Sequence, residues 1–493
     1  MIRPSRAAAV CLALAGCVRN PATGKLELNL LSQSQEIELG KQGAAEVEQS
    51  IGLYRDPKIE EYVATLGHGL SQQTPRKDLP WEFHVVEDAS VNAFALPGGP
   101  VFVTRGILGT LMNEAQLAAV VGHECGHIAA RHSASQMSKA QLAQLGLGIG
   151  SILSPQIASL GQVAGAGLQL LFLKFSRDDE SQADQLGFEY MAKQGYDARE
   201  MINLFRTLDG VSKLAGGGKL PEWLETHPEP KNREKDTMER LKASAVDWSA
   251  AKVRRDEYLG RIDGLPYGED PRQGYFEGAR FLHPQLKFQV AFPPGWQTKN
   301  AAQAVIALGP NKDAAAELAP AGKLLPEEAA QKFFSQKGIQ QGQAAQVAVG
   351  GLPAIVSYFT AQTQQGDVAG IVGFVGYGGM TYALVGYAAS QAFPQHDAAF
   401  KAFIGSFAPL TDPAALAVQP AKIEIVRVSS SMTLEEFNQR HPSNLKIEEL
   451  ALINGLESKE SKLESGKQYK RVVSGLTRKA AADRPPGPVS SRR

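Results

Sequence analysis

The sequence predicts a multidomain α+β protein: a mainly helical first domain containing a small β-sheet, then an α+β domain, then a small strand–helix–helix–strand unit. Three observations carry this reading. The chain has 493 residues, and at about 100–200 residues per domain that means two to four domains. Apolar residues recur at helical spacing through most of the first half, with short alternating runs between 81 and 104, whereas β-prone runs dominate after 275. Stretches that do not fit either pattern interrupt the chain at 263–275, rich in Gly, Pro and Asp, and at 411–421. Hydrophobic residues make up 43% and charged residues 21%, which excludes a wholly disordered chain. Lys+Arg and Asp+Glu both number 51, so no basic excess points to nucleic acid. The 3 cysteines are too few for a disulfide framework.

The N-terminus reads as a targeting segment. Arg3 and Arg6 precede an uncharged run rich in Ala, Leu and Val, which ends in Leu14-Ala15-Gly16-Cys17. A basic start, a short apolar stretch and small residues at its end describe a signal peptide, and the stretch is too short to span a bilayer. Leu14-Ala15-Gly16-Cys17 resembles a bacterial lipobox. That resemblance makes 1–17 a lipoprotein signal peptide and implies cleavage before Cys17 with lipid attached to it. Val18 follows where inner-membrane retention usually needs Asp, so outer-membrane sorting is implied for a Gram-negative cell. Cys11 would be discarded and Cys125 left as a lone thiol.

The elements follow in order. Residues 18–40 are polar and turn-rich and read as a tether and entry segment. From 35 to 73 the apolar spacing predicts two helices broken near Asp56-Pro57. Trp81–Val86 alternates as a strand does, and Pro97-Gly98-Gly99-Pro100 separates two β-prone runs as a hairpin turn would. Asn113 is placed to cap a long helix beginning at Glu114. Residues 140–173 carry no charge, yet recurring Gln, Gly and Pro155 argue against a membrane span. Two apolar helices broken at Ser154-Pro155 fit that run, as a core hairpin, a mobile cover over a site or a membrane-dipping segment. Residues 178–262 read as helical, with breaks at Gly216–Gly218 and Pro228–Pro230.

The chemistry centres on His123-Glu124-Cys125-Gly126-His127. Two His four apart share one helical face, so both imidazoles can converge on one ion, with Glu124 beside the first. The flanks are apolar, and buried His and Glu are costly unless used. A catalytic zinc needs a third protein ligand. Glu180 and Asp184 are again four apart, which suits a ligand and a carboxylate that orients an imidazole. Taken alone, they fit an exposed acidic helix start better. Cys125 is angled away from the His face and reads as a small buried side chain. His132 is off the ligand face and reads as a support for a ligand or as structural.

His-Glu-x-x-His followed by Ser176-Arg177 and then Glu180, Ala183 and Asp184 is similar to the gluzincin family of the CAAX prenyl protease and HtpX. Asn92-Ala93-Phe94-Ala95-Leu96-Pro97-Gly98-Gly99, Ala130-Arg131-His132, and Thr226-His227-Pro228 with Arg233 extend the resemblance over roughly residues 30–245. The lipobox start is similar to the periplasmic lipoprotein, BepA-like branch. The resemblance implies a mainly helical zincin-type metallopeptidase domain over 18–262. It implies one zinc held by His123, His127 and Glu180, Glu124 as catalytic base and Asp184 as an acid behind the ligands. It gives His227 either of two roles, a latch on the zinc or a transition-state partner. Asn92, Ala93 and Phe94 fall on the family's strand beside the cleft, which implies pairing with an extended substrate.

Residues 276–410 read as an α+β domain with strands at Leu286–Ala291, Ala354–Thr360, Gly370–Val375 and Thr381–Tyr387, and helices at Pro326–Gln336 and Gln395–Phe407. The order resembles a PsbP-type fold, and no catalytic constellation is visible there. Residues 422–473 are similar to a LysM module, a glycan-binding βααβ unit, although Ser429–Ser431 replaces its usual Pro-Gly-Asp turn. Residues 474–493 are basic and Pro-rich and read as a disordered tail. The expected function is a zinc endopeptidase of the cell envelope. It would be anchored to membrane through Cys17 and act on unfolded or misassembled envelope proteins, with peptidoglycan a further partner if the LysM-like unit binds glycan. The alternative is a chaperone-like assembly factor or peptidoglycan-associated scaffold with a latched zinc site.

Overall fold

The computed structural model describes residues 17–144, 174–214, 223, 226, 227, 230–301, 303–363 and 366–473. The signal peptide, the side chain of Cys17, most of the uncharged 140–173 run, the Gly216–Gly218 break and the tail lie outside the described residues. The chain divides into two compact units, Met1–Gly268 with Lys422–Val473, and Glu269–Ala421. Among the described residues no helix is long and apolar enough to cross a membrane.

The first unit opens with a hairpin, β1 (Cys17–Arg19) and β2 (Leu26–Leu28), paired antiparallel. Here the expected tether is folded, because Asn20 closes the turn and Leu30 N–H donates to Ser138 Oγ at 2.8 Å. α1 (Gln33–Ser50) starts at a capping box on Ser32, and α2 (Pro57–Ser71) starts at the Asp56 cap with Pro at its first turn. β3 (Glu82–Val86), β4 (Ala93–Ala95) and β5 (Pro100–Thr104) form a three-stranded sheet in the order β3-β5-β4. β3 and β5 run parallel, and β4 pairs antiparallel with β5 at the sheet edge.

α3 (Arg105–Thr110) leads into α4 (Glu114–Ala129), capped by Asn113 as its sequence predicts. Every residue of α4 is buried. Its first-turn Glu114 is held by Tyr62 and Tyr196, each at 2.8 Å, and by Arg254 at 3.0 Å. Arg131, at φ 60, occupies the left-handed position after α4 that favours glycine. Its guanidinium pairs with the buried Glu36, which also holds Arg76 at 2.8 Å. α5 (His132–Gln144), α6 (Arg177–Lys193), α7 (Glu200–Leu214), α8 (Pro230–Ala243) and α9 (Arg255–Ile262) follow.

The second unit holds a seven-stranded antiparallel sheet and a four-stranded sheet. The smaller contains β6 (Tyr275–Glu277), β7 (Arg280–His283), β8 (Phe288–Ala291) and the later β16 (Ala408–Pro409). The larger contains β9 (Gln297–Asn300), β10 (Val305–Leu308), β11 (Ala314–Gly322), β12 (Ile339–Val349), β13 (Leu352–Thr363), β14 (Gly366–Tyr377) and β15 (Met380–Ala389). α10 (Pro326–Phe334) covers one face, packing Ala329, Ala330 and Phe333 on Phe359, Val372 and Phe374. α11 (Phe393–Gly405) covers the other, where Phe400, Phe403 and Ile404 meet Ile371, Val375 and Leu384. Both faces are therefore buried, which explains the unbroken apolar run in β14. The stretch 411–421 carries α12 (Pro413–Leu416), and Ala415 packs with Tyr275, Leu282 and Leu410 rather than running free.

The residues 422–473 form a βααβ unit. β17 (Lys422–Arg427) pairs antiparallel with β20 (Gln468–Val473), around α13 (Leu434–Arg440) and α14 (Ile447–Ile453). A short pair, β18 (Met432–Thr433) with β19 (Lys462–Leu463), completes it. The sequence sets this segment apart as its own domain, but its contacts place it within the first unit. Leu452 lies under Gly210 of α7, and the fully buried Lys470 amine donates to the carbonyls of Gly109, Thr110 and Leu111 at 2.9, 3.3 and 2.5 Å.

Candidate metal centre

Small residues bring the site's two helices together. A Cβ on Gly126 would stand 2.9 Å from the Ala183 carbonyl oxygen, and one on Gly187 would stand 3.0 Å from the His123 nitrogen. α4 and α6 therefore approach backbone to backbone, and Glu180 and Asp184 face His123 and His127 across the seam. The Ser176 capping box starts α6 just before these acids.

Four buried side chains converge. One ligand atom from each of His123, His127, Glu180 and His227 lies within 4.8 Å of the others. His127 Nε2 is 3.0 Å from His123 Nε2, and His227 Nδ1 is 3.2 Å from His123 Nε2. Glu180 oxygens stand 3.5 Å from both His123 Nε2 and His127 Nε2, and 2.8 Å from His227 Nδ1. A tetrahedral ion with bonds of about 2.0–2.1 Å has ligand–ligand edges of about 3.3–3.4 Å, so the donor set matches zinc in type and spacing. Imidazole nitrogens and a carboxylate oxygen are donor types that zinc takes.

Both histidines of α4 have a support. His123 Nδ1 meets Asp184 Oδ1 at 2.9 Å, and Arg233 clamps Asp184 through two bonds of 2.7 Å. Arg233 itself lies between Phe205 and Trp223, its guanidinium carbon 4.6 and 4.5 Å from the ring centroids. His127 Nδ1 meets His132 Nδ1 at 2.8 Å, and Phe175 stacks on the His127 ring at 4.0 Å. Glu124 Oε1 is buried, has no hydrogen-bond partner among the described residues and stands 3.6 Å from His227 Nε2.

The electrostatics follow from burial and neighbours. Burial, with the Arg233 charge, brings His123 down to about 3, so its ring is neutral. Burial alone would raise Asp184, but Arg233 and His123 outweigh it and leave the carboxyl at about 2. Glu180 is likewise held well below its ordinary value, because His227 and His127 overcome its burial. Glu124 is pushed the other way, well above the ordinary carboxyl range, by burial and then by the Glu180 charge. A carboxylate with raised proton affinity beside a metal position suits a general base.

The sequence-derived ligands His123, His127 and Glu180 come together with Glu124, Asp184 and His227. Cys125 is buried and outside the group. Ala93 and Phe94 sit on the edge strand β4, which packs against α4, and Asn92 immediately precedes it. The Phe94 side chain joins the core cluster of Val47, Val86, Leu96 and Phe102. From the sequence, Arg233 belongs to the late motif but has no role of its own, and Trp223, Phe175 and Gln182 carry no signal. Arg233, Trp223 and Phe175 reach the site from outside α4 and α6, whereas Gln182 lies on α6 between Glu180 and Asp184.

Residues 57–241 match the model of peptidase family M48. All the residues of the metal centre fall inside that span. The chain is 33% identical over 241 residues to the beta-barrel assembly-enhancing protease of Yersinia pestis, covering 45% of this chain and 49% of that one. It is 34% identical over 165 residues to the mitochondrial metalloendopeptidase OMA1 of Bos taurus, covering 32% of this chain and 31% of that one. The chain thus spans at most about half the length of these relatives. A solution structure of PsbP from Synechocystis sp. PCC 6803 aligns with 26% of this chain and 91% of its own, at a TM-score of 0.23 and 12% identity.

Proposed function

We propose that this chain is a zinc-dependent endopeptidase of the bacterial cell envelope that hydrolyses misfolded or misassembled proteins. The observation that carries this is the convergence of His123, His127 and Glu180 on one point beside Glu124, whose Oε1 has no hydrogen-bond partner among the described residues, within a segment matching the M48 peptidases. Bound zinc would supply Lewis acidity toward the scissile carbonyl and lower the pKa of an attacking water to about 7. Glu124 takes a proton from that water as its oxygen bonds the carbonyl carbon, and delivers a proton to the leaving amine as the C–N bond breaks. Asp184, held by Arg233, orients His123 rather than reacting. The outer edge of β4 receives substrate as an added strand, with main-chain bonds and little sequence preference.

His227 has the role of a latch in this reading. It fills the fourth position around the metal point, so substrate entry requires it to leave. A lipid on Cys17 would hold the enzyme at the outer membrane, among misassembled envelope proteins. The PsbP-like region 276–410 would bind or space, and the LysM-like unit would contact glycan or protein. The closed fourth position also favours a second reading, in which the chain acts mainly as an assembly factor with a silent site.

The test is casein cleavage by zinc-loaded protein beginning at Cys17, beside its Glu124→Gln variant. The peptidase reading expects cleavage by the parent and a loss of at least about 100-fold in the variant, the scale of general-base catalysis. Equal cleavage by both would overturn the assigned base. Absence of cleavage by both, with zinc bound, would favour the assembly factor.

A further inference from the structure

The second ligand, His127, is held by a chain of hydrogen bonds whose direction can be read from the main chain outward. Asn20 Oδ1 accepts from the N–H groups of Ala22 at 2.9 Å and Thr23 at 3.2 Å. Its Nδ2 donates to the carbonyl of Ala130, the residue capping α4, at 3.0 Å. Backbone donors and acceptors cannot exchange roles, so the Asn20 amide has one orientation. That Nδ2 also faces Gln182 Oε1 at 3.4 Å. Turning Gln182 over would set an NH2 against an NH2, so Gln182 presents its oxygen. The same oxygen lies 2.7 Å from His132 Nε2, which must therefore carry the proton.

His132 Nδ1 is then a bare acceptor. It lies 2.8 Å from His127 Nδ1, so His127 is protonated there and leaves Nε2 with a free lone pair. That Nε2 is the atom 3.0 Å from His123 Nε2 at the metal point. We propose that His132, oriented by Gln182 and Asn20, is the positioning residue that fixes His127 in the one tautomer able to bind the metal. The proposal rests on His127 being a zinc ligand. It gives the site two unlike supports, a carboxylate clamped by Arg233 for His123 and a neutral imidazole–amide chain for His127. The chain orients its ligand through an imidazole and two amides, with the Asp179 carboxylate 3.9 Å from His132 Nε2, beyond hydrogen-bond reach. It also ties the N-terminal hairpin to the metal, because Asn20 is the residue that closes the β1–β2 turn.

The test is the zinc dissociation constant, by chelator competition, of full-length protein and three variants. In His132→Asn the amide oxygen stands two bonds from Cβ, as Nδ1 does, and can still accept from His127. His132→Phe keeps a ring and no acceptor. Gln182→Met removes the acceptor that sets His132. The expected result is a 10–100-fold weakening in His132→Phe, recovery to within about threefold in His132→Asn, and an intermediate weakening in Gln182→Met. Equal affinities for His132→Phe and wild type, or equal weakening of Phe and Asn, would overturn the proposal, since filling space alone would then explain the residue. If His132→Phe does not fold by circular dichroism, unchanged affinity in Gln182→Met overturns it and weakened affinity supports it. Wild-type protein that binds no zinc would overturn this proposal together with the peptidase reading, whereas tight wild-type binding with unaffected variants would overturn this one alone.

Discussion

His123 and His127 are neutral in the fold because burial makes a charged imidazole costly. Burial lowers His132 in the same way, to about 4, and His123 reaches about 3. These folded values lie below the unfolded value of about 6.5. The unfolded chain therefore binds more protons between those limits, and the stability they contribute is complete above about pH 6.5 and lost as the pH falls. Glu124 opposes this, because its raised folded value lets the fold take up one proton, but three imidazoles outweigh one carboxyl. The melting temperature of zinc-stripped protein should accordingly fall between pH 6.5 and 5, and a flat or rising value would contradict these assignments. At this scale the His-Glu-x-x-His pattern was legible because helical spacing alone aligns its side chains. Arg233 was not, because its partner Asp184 and its flanking rings Phe205 and Trp223 come from three other parts of the chain.

At the scale of elements, β4 is an edge strand among the described residues, and the donors it turns away from β5 can be identified. Thr104 N–H donates to Asn92 O, and Leu96 N–H donates to Pro100 O. Residues at even positions therefore face β5, and the N–H groups of Ala93 and Ala95 point outward. Ala95→Pro removes one outward donor without breaking the β5 ladder, as edge strands tolerate. One hydrogen bond worth about 1 kcal/mol should appear as a roughly fivefold lower kcat/KM on unfolded casein, with zinc affinity unchanged; unaltered kcat/KM would remove β4 from substrate binding. The helix starts at Asp56 and Asn113 were readable because caps are local chemistry. Strands β11 and β12 were not. β11 begins with three alanines, which favour helix, and β12 is Gln- and Ala-rich and almost wholly exposed, so neither shows the alternation that marks a half-buried strand.

At the scale of the molecule, the βααβ unit is part of the first compact unit rather than a bead on a linker. Among the side chains that integrate it is one that no sequence rule flags. Lys470 caps the end of α3, whose last carbonyls would otherwise be buried without partners. Lys470→Met should destabilise the first unit by about 2–4 kcal/mol, the range for stranding several buried acceptors, and lower its melting temperature without splitting the transition. A separate transition for residues 422–473 would show that the unit folds independently. The sequence placed the two changes of texture near 263 and 421 but could not place 422–473 against α3 and α7, since that requires contacts more than 200 residues apart.

Zinc K-edge X-ray absorption reads the metal centre directly. The account predicts one zinc per chain with three imidazole nitrogens, one carboxylate oxygen and no sulfur. It predicts that His227→Ala keeps the metal and lowers the imidazole count to two. A sulfur neighbour, or zinc lost from His227→Ala to the extent that it is lost from His123→Ala, would contradict it.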